Sequence, residues 1–434
     1  TLQCIMETNQ RSLVPHTLFG MFILELFFLF VKKIDGTIYG YFDAIEKLYP
    51  IIAILLLTAF IKPKLNRHWW VALGFYTAYV LYGILISLAH QKGMKIILVQ
   101  LYHELKFFPM MLLFAMVRCD ERWSKRTMNV IKTIIILTIV LIIFQLAMPG
   151  LYDTVFKNGG HFEKAHIAGM LLPRSVGWFW HPSQIALFFM ITTVFFIVEY
   201  RKGNIKFIFS MVFLSVFFVF ISIQRLELFF LCLILLTFWL CRYINLDYRP
   251  YLAGTVFLLF GGVILFIITD ESNFWWILDN IKSPRMVFLV ESLFTLVDSD
   301  YLGAGWGTIG SHAAADVAKV YEYNSMKDIW WIKLGQYFYD TYWPHVIGET
   351  GLPGFFLLLL SMVFMIRALK RREASLLMFI LIMTSSLSSN AQSLYHLTIF
   401  GWFIMLLENN HNQLISDHDL QTTASIQLSY EGVK

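Results

Sequence analysis

The residues able to do chemistry fall into two groups. Arg174, Arg225 and Arg285 stand in the otherwise apolar stretches "LLPRSVGWFWHPSQIALFF", "ISIQRLELFF" and "IKSPRMVFLVESLF". A guanidinium presents a planar fork that binds phosphate oxygens bidentately, so three on one side of a membrane suit a phosphate headgroup or a pyrophosphate. Each also has a plainer role open to it. Long cationic side chains at helix ends snorkel to the interface, and Arg225 has Glu227 beside it for an ion pair. The second group lies in "DTYWPHVIGETGLPGFFLLLL", which brings Asp340, His345 and Glu349 to the start of an apolar run. Either Asp340 or His345 could take the proton from a hydroxyl nucleophile. His345 and Glu349 are four apart and share a helix face, which lets Glu349 position the imidazole in place of reacting itself. Pro344 suits a first helical turn, and a His there can equally be structural. Gly351 and Gly354 admit a close neighbouring helix, for which packing is the simpler reason.

These groups are carried by a membrane framework. Of the 434 residues, 58% are hydrophobic and 15% charged, whereas a soluble chain carries roughly 25% charged residues. Apolar runs of about 20 residues recur throughout, too long and uniform for barrel strands. The expected fold is an all-α integral membrane protein with about twelve transmembrane helices. They fall near 17–31, 48–61, 69–89, 97–117, 128–147, 176–199, 205–222, 226–241, 251–269, 345–366, 374–388 and 392–407. Helices one to nine occupy 1–269, a large loop occupies 270–344, helices ten to twelve occupy 345–407, and a polar tail occupies 408–434. The loops "KPKLNRHWW", "RCDERWSKR", "RKGNIK", "RYINLDYR" and "RALKRRE" are basic and share one parity. Basic loops stay in the cytoplasm, so the large loop and the mouth of the tenth helix face the other side. Lys32 and Lys33 are a mild exception, and Glu25 is the clearest charge within a span.

Other patterns carry less. Cys4, Cys119, Cys232 and Cys241 have neither a disulfide framework nor metal-ligand spacing. "HFEKAH" at 161–166 places its histidines five apart in a short polar loop, a poor metal pattern. "YLGAGWGTIGS" follows no strand and lacks a Walker Lys, so it reads as a turn supporting the large loop and not as a nucleotide cradle. No cofactor, metal or nucleic-acid partner is expected. Trp330, Trp331, Tyr337, Tyr339, Tyr342 and Trp343 suit either sugar stacking or an interfacial aromatic belt.

Taken in order, "RSVGWFWHPSQIALFF", "SIQRLELFF", "SPRMVFLVESLFTLVDSDYLGAGWG" and "DTYWPHVIGETGLPGFFLLL" resemble the O-antigen ligase and polymerase superfamily of bacterial envelope glycosyltransferases over about residues 170–360. The resemblance implies a GT-C-like helical fold in the inner membrane. It implies transfer of a glycan from an undecaprenyl-pyrophosphate carrier to an acceptor sugar hydroxyl at the periplasmic face, without metal. It assigns Arg174, Arg225 and Arg285 to the pyrophosphate, and matches Glu349, Gly351 and Gly354 to an "E-x-G-x-x-G" opening a late helix. Ligases of the family carry a His where this chain has Asp340, while related polymerases often have Asp near that point. The reading is therefore an O-antigen or related surface-polysaccharide polymerase, with a carrier-linked oligosaccharide, the lipid bilayer and a chain-length regulator protein as partners. The alternatives are an O-antigen ligase that uses lipid A core, and a transporter or flippase of lipid-linked sugars.

In a cysteine-free background, a cysteine introduced at position 160 is expected to react with an impermeant thiol reagent in spheroplasts, and one at 371 to be protected. Labelling at 371 alone would reverse the orientation.

Overall fold

The computed structural model describes residues 16–28, 48–60, 66–116, 121–156, 164–167, 170–173, 182–199, 284–322, 325–333 and 341–368. Shorter stretches at 30–31, 175–177, 212–218 and 231–232 and single positions 34, 179, 210, 235, 338 and 401 are also described. The spans expected at 251–269 and 374–388, and nearly all of those at 226–241 and 392–407, lie outside the described residues, as does the tail.

The described chain is predominantly helical. In order, the helices are α1 (His16–Phe28), α2 (Tyr49–Phe60), α3 (Arg67–Ala89), α4 (Met94–Glu104), α5 (Phe107–Met116), α6 (Glu121–Ala147), α7 (Pro149–Val155), α8 (Pro182–Glu199), α9 (Pro284–Asp298), α10 (Trp330–Lys333) and α11 (Trp343–Ala368). One short antiparallel hairpin, β1 (Lys164–Ile167) with β2 (Met170–Pro173), pairs Lys164 with Pro173. It lies in the connection that includes "HFEKAH". Among the described residues, four segments are long and apolar enough to cross a membrane: Arg67–Ala89, Met94–Met116, Asn129–Ala147 and Trp343–Ala368.

Their faces fit that role. On α6, Ile136, Val140, Ile143 and Leu146 are exposed at helical spacing while Ile131, Ile135 and Ile142 are buried. On α11, Leu352, Phe356 and Leu360 form a similar exposed stripe. Contiguous exposed apolar surface of this kind is unusual on a monomeric soluble protein and suits lipid. By contrast, α8 is buried from Ile185 through Thr193, as expected of a helix that is apolar all round. Its Thr192 and Thr193 hydroxyls donate to the Phe188 and Phe189 carbonyls, so neither polar group is stranded.

α3 and α11 pack antiparallel and frame the site. The Asn66 side chain accepts from the Trp69 N–H at 3.1 Å, capping α3, and its amide donates to the Ala368 carbonyl at 3.0 Å. Five residues into α3, the Ser361 hydroxyl donates to the Ala72 carbonyl at 2.9 Å.

Two of the candidate spans are broken, which the sequence did not announce as such. Met94–Met116 is interrupted at Leu105 and Lys106, between α4 and α5. Pro109 explains the place: it has no N–H for the Leu105 carbonyl, and its ring would collide with that carbonyl in a continuous helix. α11 is kinked at Gly351, where φ is 63° and ψ is −168°. Residues 343–350 before the kink are all buried, whereas the segment after it shows the exposed stripe. The tenth helix expected at 345–366 is therefore a buried entry segment followed by a lipid-type helix.

Gly351 occupies backbone space open essentially only to glycine, with a penalty of about 1–3 kcal/mol for other residues. A Cβ there would also overlap the Leu302 backbone. Gly351→Ala is expected to lower the melting temperature of the detergent-solubilised protein clearly, while Gly74→Ala, where a Cβ meets nothing within 4 Å, leaves it unchanged. Equal melting of the two variants would show that the kink is not constrained.

Candidate functional site

The glycine-rich stretch and the opening of α11 fold onto each other. Residues 301–305 run beside the kink: Ala304 N–H donates to Gly348 O at 3.0 Å, Gly305 N–H to Glu349 O at 2.9 Å, and Leu352 N–H to Tyr301 O at 3.0 Å. What approaches Gly351 is thus loop backbone and not a neighbouring helix. A helix does approach at Gly348, where a Cβ would press on Ser292 of α9 and on Ile309. α9 reaches that position because its apolar residues Val287, Val290, Leu293 and Leu296 fall on one buried face.

The loop then closes on Glu349. Its Oε1 accepts from the N–H groups of Gly307, Thr308 and Ile309 at 2.9, 2.9 and 3.1 Å, and from the Ser311 hydroxyl at 2.6 Å. Successive backbone N–H groups pointing inward make an anion-binding nest. Left-handed Gly305, Gly307 and Gly310, with φ of 82°, 80° and 70°, give the chain that curvature. The expectation of a turn in the large loop understated this stretch: it does cradle an anion, and the anion is the protein's own carboxylate. Glu349 is fully buried, and the four hydrogen bonds on one oxygen tie the loop to α11. The far side of the loop locks to α3. Trp306 N–H donates to the Ser87 hydroxyl at 2.8 Å, and its indole fills the space left by Gly83. Beside the nest, burial lowers the Lys92 ammonium from its ordinary range, opposed by the attraction of Glu349.

His345 takes a different partner from the one expected. Its Nε2 lies 3.4 Å from Oε1 of Glu104 on α4. Glu104 is fully buried and its carboxylate is held from two other sides. Gln100 Nε2 donates to Oε1 at 2.7 Å and the Tyr79 hydroxyl to Oε2 at 3.1 Å. The Tyr76 hydroxyl donates to the Glu104 carbonyl, at the helix break. The Tyr342 ring meets the imidazole edge to face at 4.8 Å. Nδ1 of His345 and Oε2 of Glu349 are buried and carry no hydrogen bond among the described residues. The arrangement is one imidazole against the Glu104 carboxylate, on a helix segment whose other acidic group, Glu349, is held by the loop. Chemically it can hold or pass a proton.

Of the six expected site residues, the structure describes three. Arg174, Arg225 and Asp340 lie outside the described residues. His345 and Glu349 share the buried entry segment of α11. Arg285 is half-buried at the start of α9, seven residues before Ser292, or about 10 Å along the helix axis. Among the described residues it makes no hydrogen bond or ion pair to either. Trp331, Tyr342 and Trp343 are core residues, each about 1% exposed, and so neither belt nor sugar platform. Trp331 packs on Phe288 and Trp343 on Phe355.

The candidate residues read from the sequence all lie between positions 174 and 349, and Glu104 and Gln100 are not among them. A signal was present. "VQLYHELKFFP" sets Gln100, His103, Glu104 and Lys106 inside an apolar span and just before a proline, and polar groups in such a place are costly unless used.

Glu349→Leu removes the acceptor of four donors. Hydrogen exchange at the amides of 307–309 is expected to accelerate at least tenfold, while Glu349→Gln, which keeps one carbonyl oxygen, gives a smaller effect. Unchanged exchange in Glu349→Leu would show that the carboxylate does not hold the loop. No protein-family model matches this chain, and no curated protein sequence matches it.

Proposed function

We propose that the protein is a membrane glycosyltransferase of the O-antigen polymerase type, extending a surface polysaccharide from an undecaprenyl-pyrophosphate-linked donor. The observation that carries this reading is the carboxylate-oriented imidazole. Glu104 Oε1 is 3.4 Å from His345 Nε2, which leaves Nδ1 to meet an acceptor. The pair supports an acid–base role for His345. In the proposed step the acceptor sugar hydroxyl gives its proton to the base, which is His345 or Asp340. The oxygen forms the new bond to the donor sugar, and the bond to the pyrophosphate breaks. Arg174, Arg225 and Arg285 are proposed to neutralise the departing pyrophosphate. Glu104 and Glu349 act as positioning groups, one on the imidazole and the other on the loop that packs against it. The periplasmic face is proposed from the basic loops.

A second reading is favoured by a specific observation. Broken spans with buried ionisable groups at the breaks are a feature of transporters, and here Glu104 precedes one break and Glu349 the other. Proton-coupled movement of a lipid-linked sugar would use the same residues without transferring it.

Purified protein in lipid nanodiscs, given a carrier-linked repeat, separates the two readings by whether products longer than one repeat appear. His345→Gln and Asp340→Asn are each expected to lower the rate, with loss of the base costing on the order of 10²–10⁴. Glu104→Gln is expected to reduce kcat with little change in KM. Arg285→Lys, which keeps the charge and loses the fork, is expected to reduce polymerisation at normal protein levels. No polymer from the wild type, with carrier-linked repeat moving across proteoliposomes, would replace the first reading with the second. Full activity of both His345→Gln and Asp340→Asn would mean that neither is the base.

A further inference from the structure

The path from α9 to the glycine nest can be placed in depth against α3. The apolar run of α3 extends over 20 residues from Trp70 to Ala89, and His90, Gln91 and Lys92 follow it. At 1.5 Å per residue that is about 30 Å, the thickness of a bilayer core. The Tyr82 hydroxyl donates to the Leu302 carbonyl at 2.8 Å, and Tyr82 is seven residues before Ala89. Leu302 therefore stands about 10 Å inside the His90 end of the span. From there the chain climbs. Gly305 lies against Ser87, Trp306 N–H donates to the Ser87 hydroxyl, and Gly307 meets Ile96 in the first turn of α4. On the other side, α9 passes Gly348 at Ser292 and the chain continues to Tyr301, whose carbonyl accepts from Leu352 N–H. It returns to the level of Gly348 at Ala304. The turn at 299–302 is thus the lowest point of a hairpin and not a cap above the helices.

Two features fit lipid at that depth. Irregular backbone inside a bilayer must be satisfied by protein, and each N–H from Ser299 to Trp306 is. Ser299, Asp300, Tyr301 and Leu302 donate to the carbonyls of Thr295, Val297, Leu296 and Ser299, and Gly303 donates to the Ser299 hydroxyl. Ala304 and Gly305 donate to α11, and Trp306 to α3. A loop in water has no such requirement. The second feature is the outer surface. Val297, Tyr301 and Leu302 are 43%, 46% and 51% exposed. Through the Tyr82 and Leu352 contacts they continue the exposed apolar residues of α3, such as Leu81 and Leu85, into the exposed stripe of α11. Asp298 and Asp300 are exposed at the same tip. Charges near the edge of a bilayer are met by snorkelling and by water drawn in, so the aspartates keep the tip within one leaflet.

We infer that residues 284–306 form a re-entrant hairpin, in which α9 enters the leaflet at the His90 end of α3, the glycine-rich stretch leaves it, and Val297, Tyr301 and Leu302 lie against lipid acyl chains. The large loop expected at 270–344 then has a membrane-embedded part. The inference rests on α3 being a span and holds for either reading of the function.

The test uses the full chain in lipid nanodiscs, in a cysteine-free background, with a nitroxide on one introduced cysteine: Leu302→Cys, Val297→Cys, Leu85→Cys or His90→Cys. Power saturation with oxygen, which enters acyl chains, and with a water-soluble nickel chelate, which does not, reads the depth of each label. The label at 302 is expected about 10 Å deeper than the label at 90, and at or below the label at 85. Val297→Cys, one turn earlier, gives the same reading if Leu302→Cys does not fold. A depth no greater than at 90, from whichever of the two variants folds, overturns the hairpin. A label at 85 that reads as aqueous shows that α3 is not a span and overturns it as well. Neither donor nor acceptor sugar is needed, so the result is independent of whether the protein makes polymer.

Discussion

One carboxylate oxygen organises the region from which function is argued. Glu349 Oε1 collects three consecutive backbone N–H groups and a serine hydroxyl, and the fold around it follows from that demand. The loop must curl, which requires glycines at 305, 307 and 310. It must lie against the α11 backbone, which requires glycines at 303 and 351. Its other side must be seated, which Gly83 and Ser87 of α3 provide for Trp306. Where the chain leaves the nest, Ser311 is on Glu349 and His312 is against His103. A buried carboxylate without such donors would be prohibitively costly. With them it becomes a local template, and the close approach of loop and helix is its consequence.

The same logic explains the broken helices. In an apolar environment irregular backbone persists only where protein or water satisfies it. At the break after α4 the Glu104 carbonyl is met by the Tyr76 hydroxyl. At the α11 kink the Leu352 N–H is met by the Tyr301 carbonyl. Each break carries a glutamate with its own donors, Gln100 and Tyr79 for one and the loop amides for the other. His345, on the buried segment before the α11 kink, joins the two by its contact with Glu104. Helix interruption, buried charge and a fixed imidazole are therefore one construction.

The sequence showed the helical class and the four apolar spans found among the described residues, because periodicity is a local property. It also marked the "E-x-G-x-x-G" opening as unusual. It did not show what the glycines face. Gly351 and Gly303 meet across a loop closure of 48 residues, and nothing local encodes that partner. The pairing of Glu104 with His345 spans 241 residues, and although the polar run around Glu104 is visible in the sequence, nothing local names its partner. Trp331, Tyr342 and Trp343 were read as surface aromatics since composition does not distinguish a membrane interface from a protein core. Arg174, Arg225 and Asp340 rest on sequence alone.

Deletion of the gene in the source organism, followed by electrophoresis of its lipopolysaccharide, tests the central claim most directly. A polymerase predicts that the long-chain ladder is lost while single repeat units remain attached to the core. Bare core with accumulated carrier-linked polymer would contradict this and identify a ligase. Carrier-linked single units stranded on the cytoplasmic side would identify a flippase. An unchanged ladder would remove the protein from this chemistry altogether.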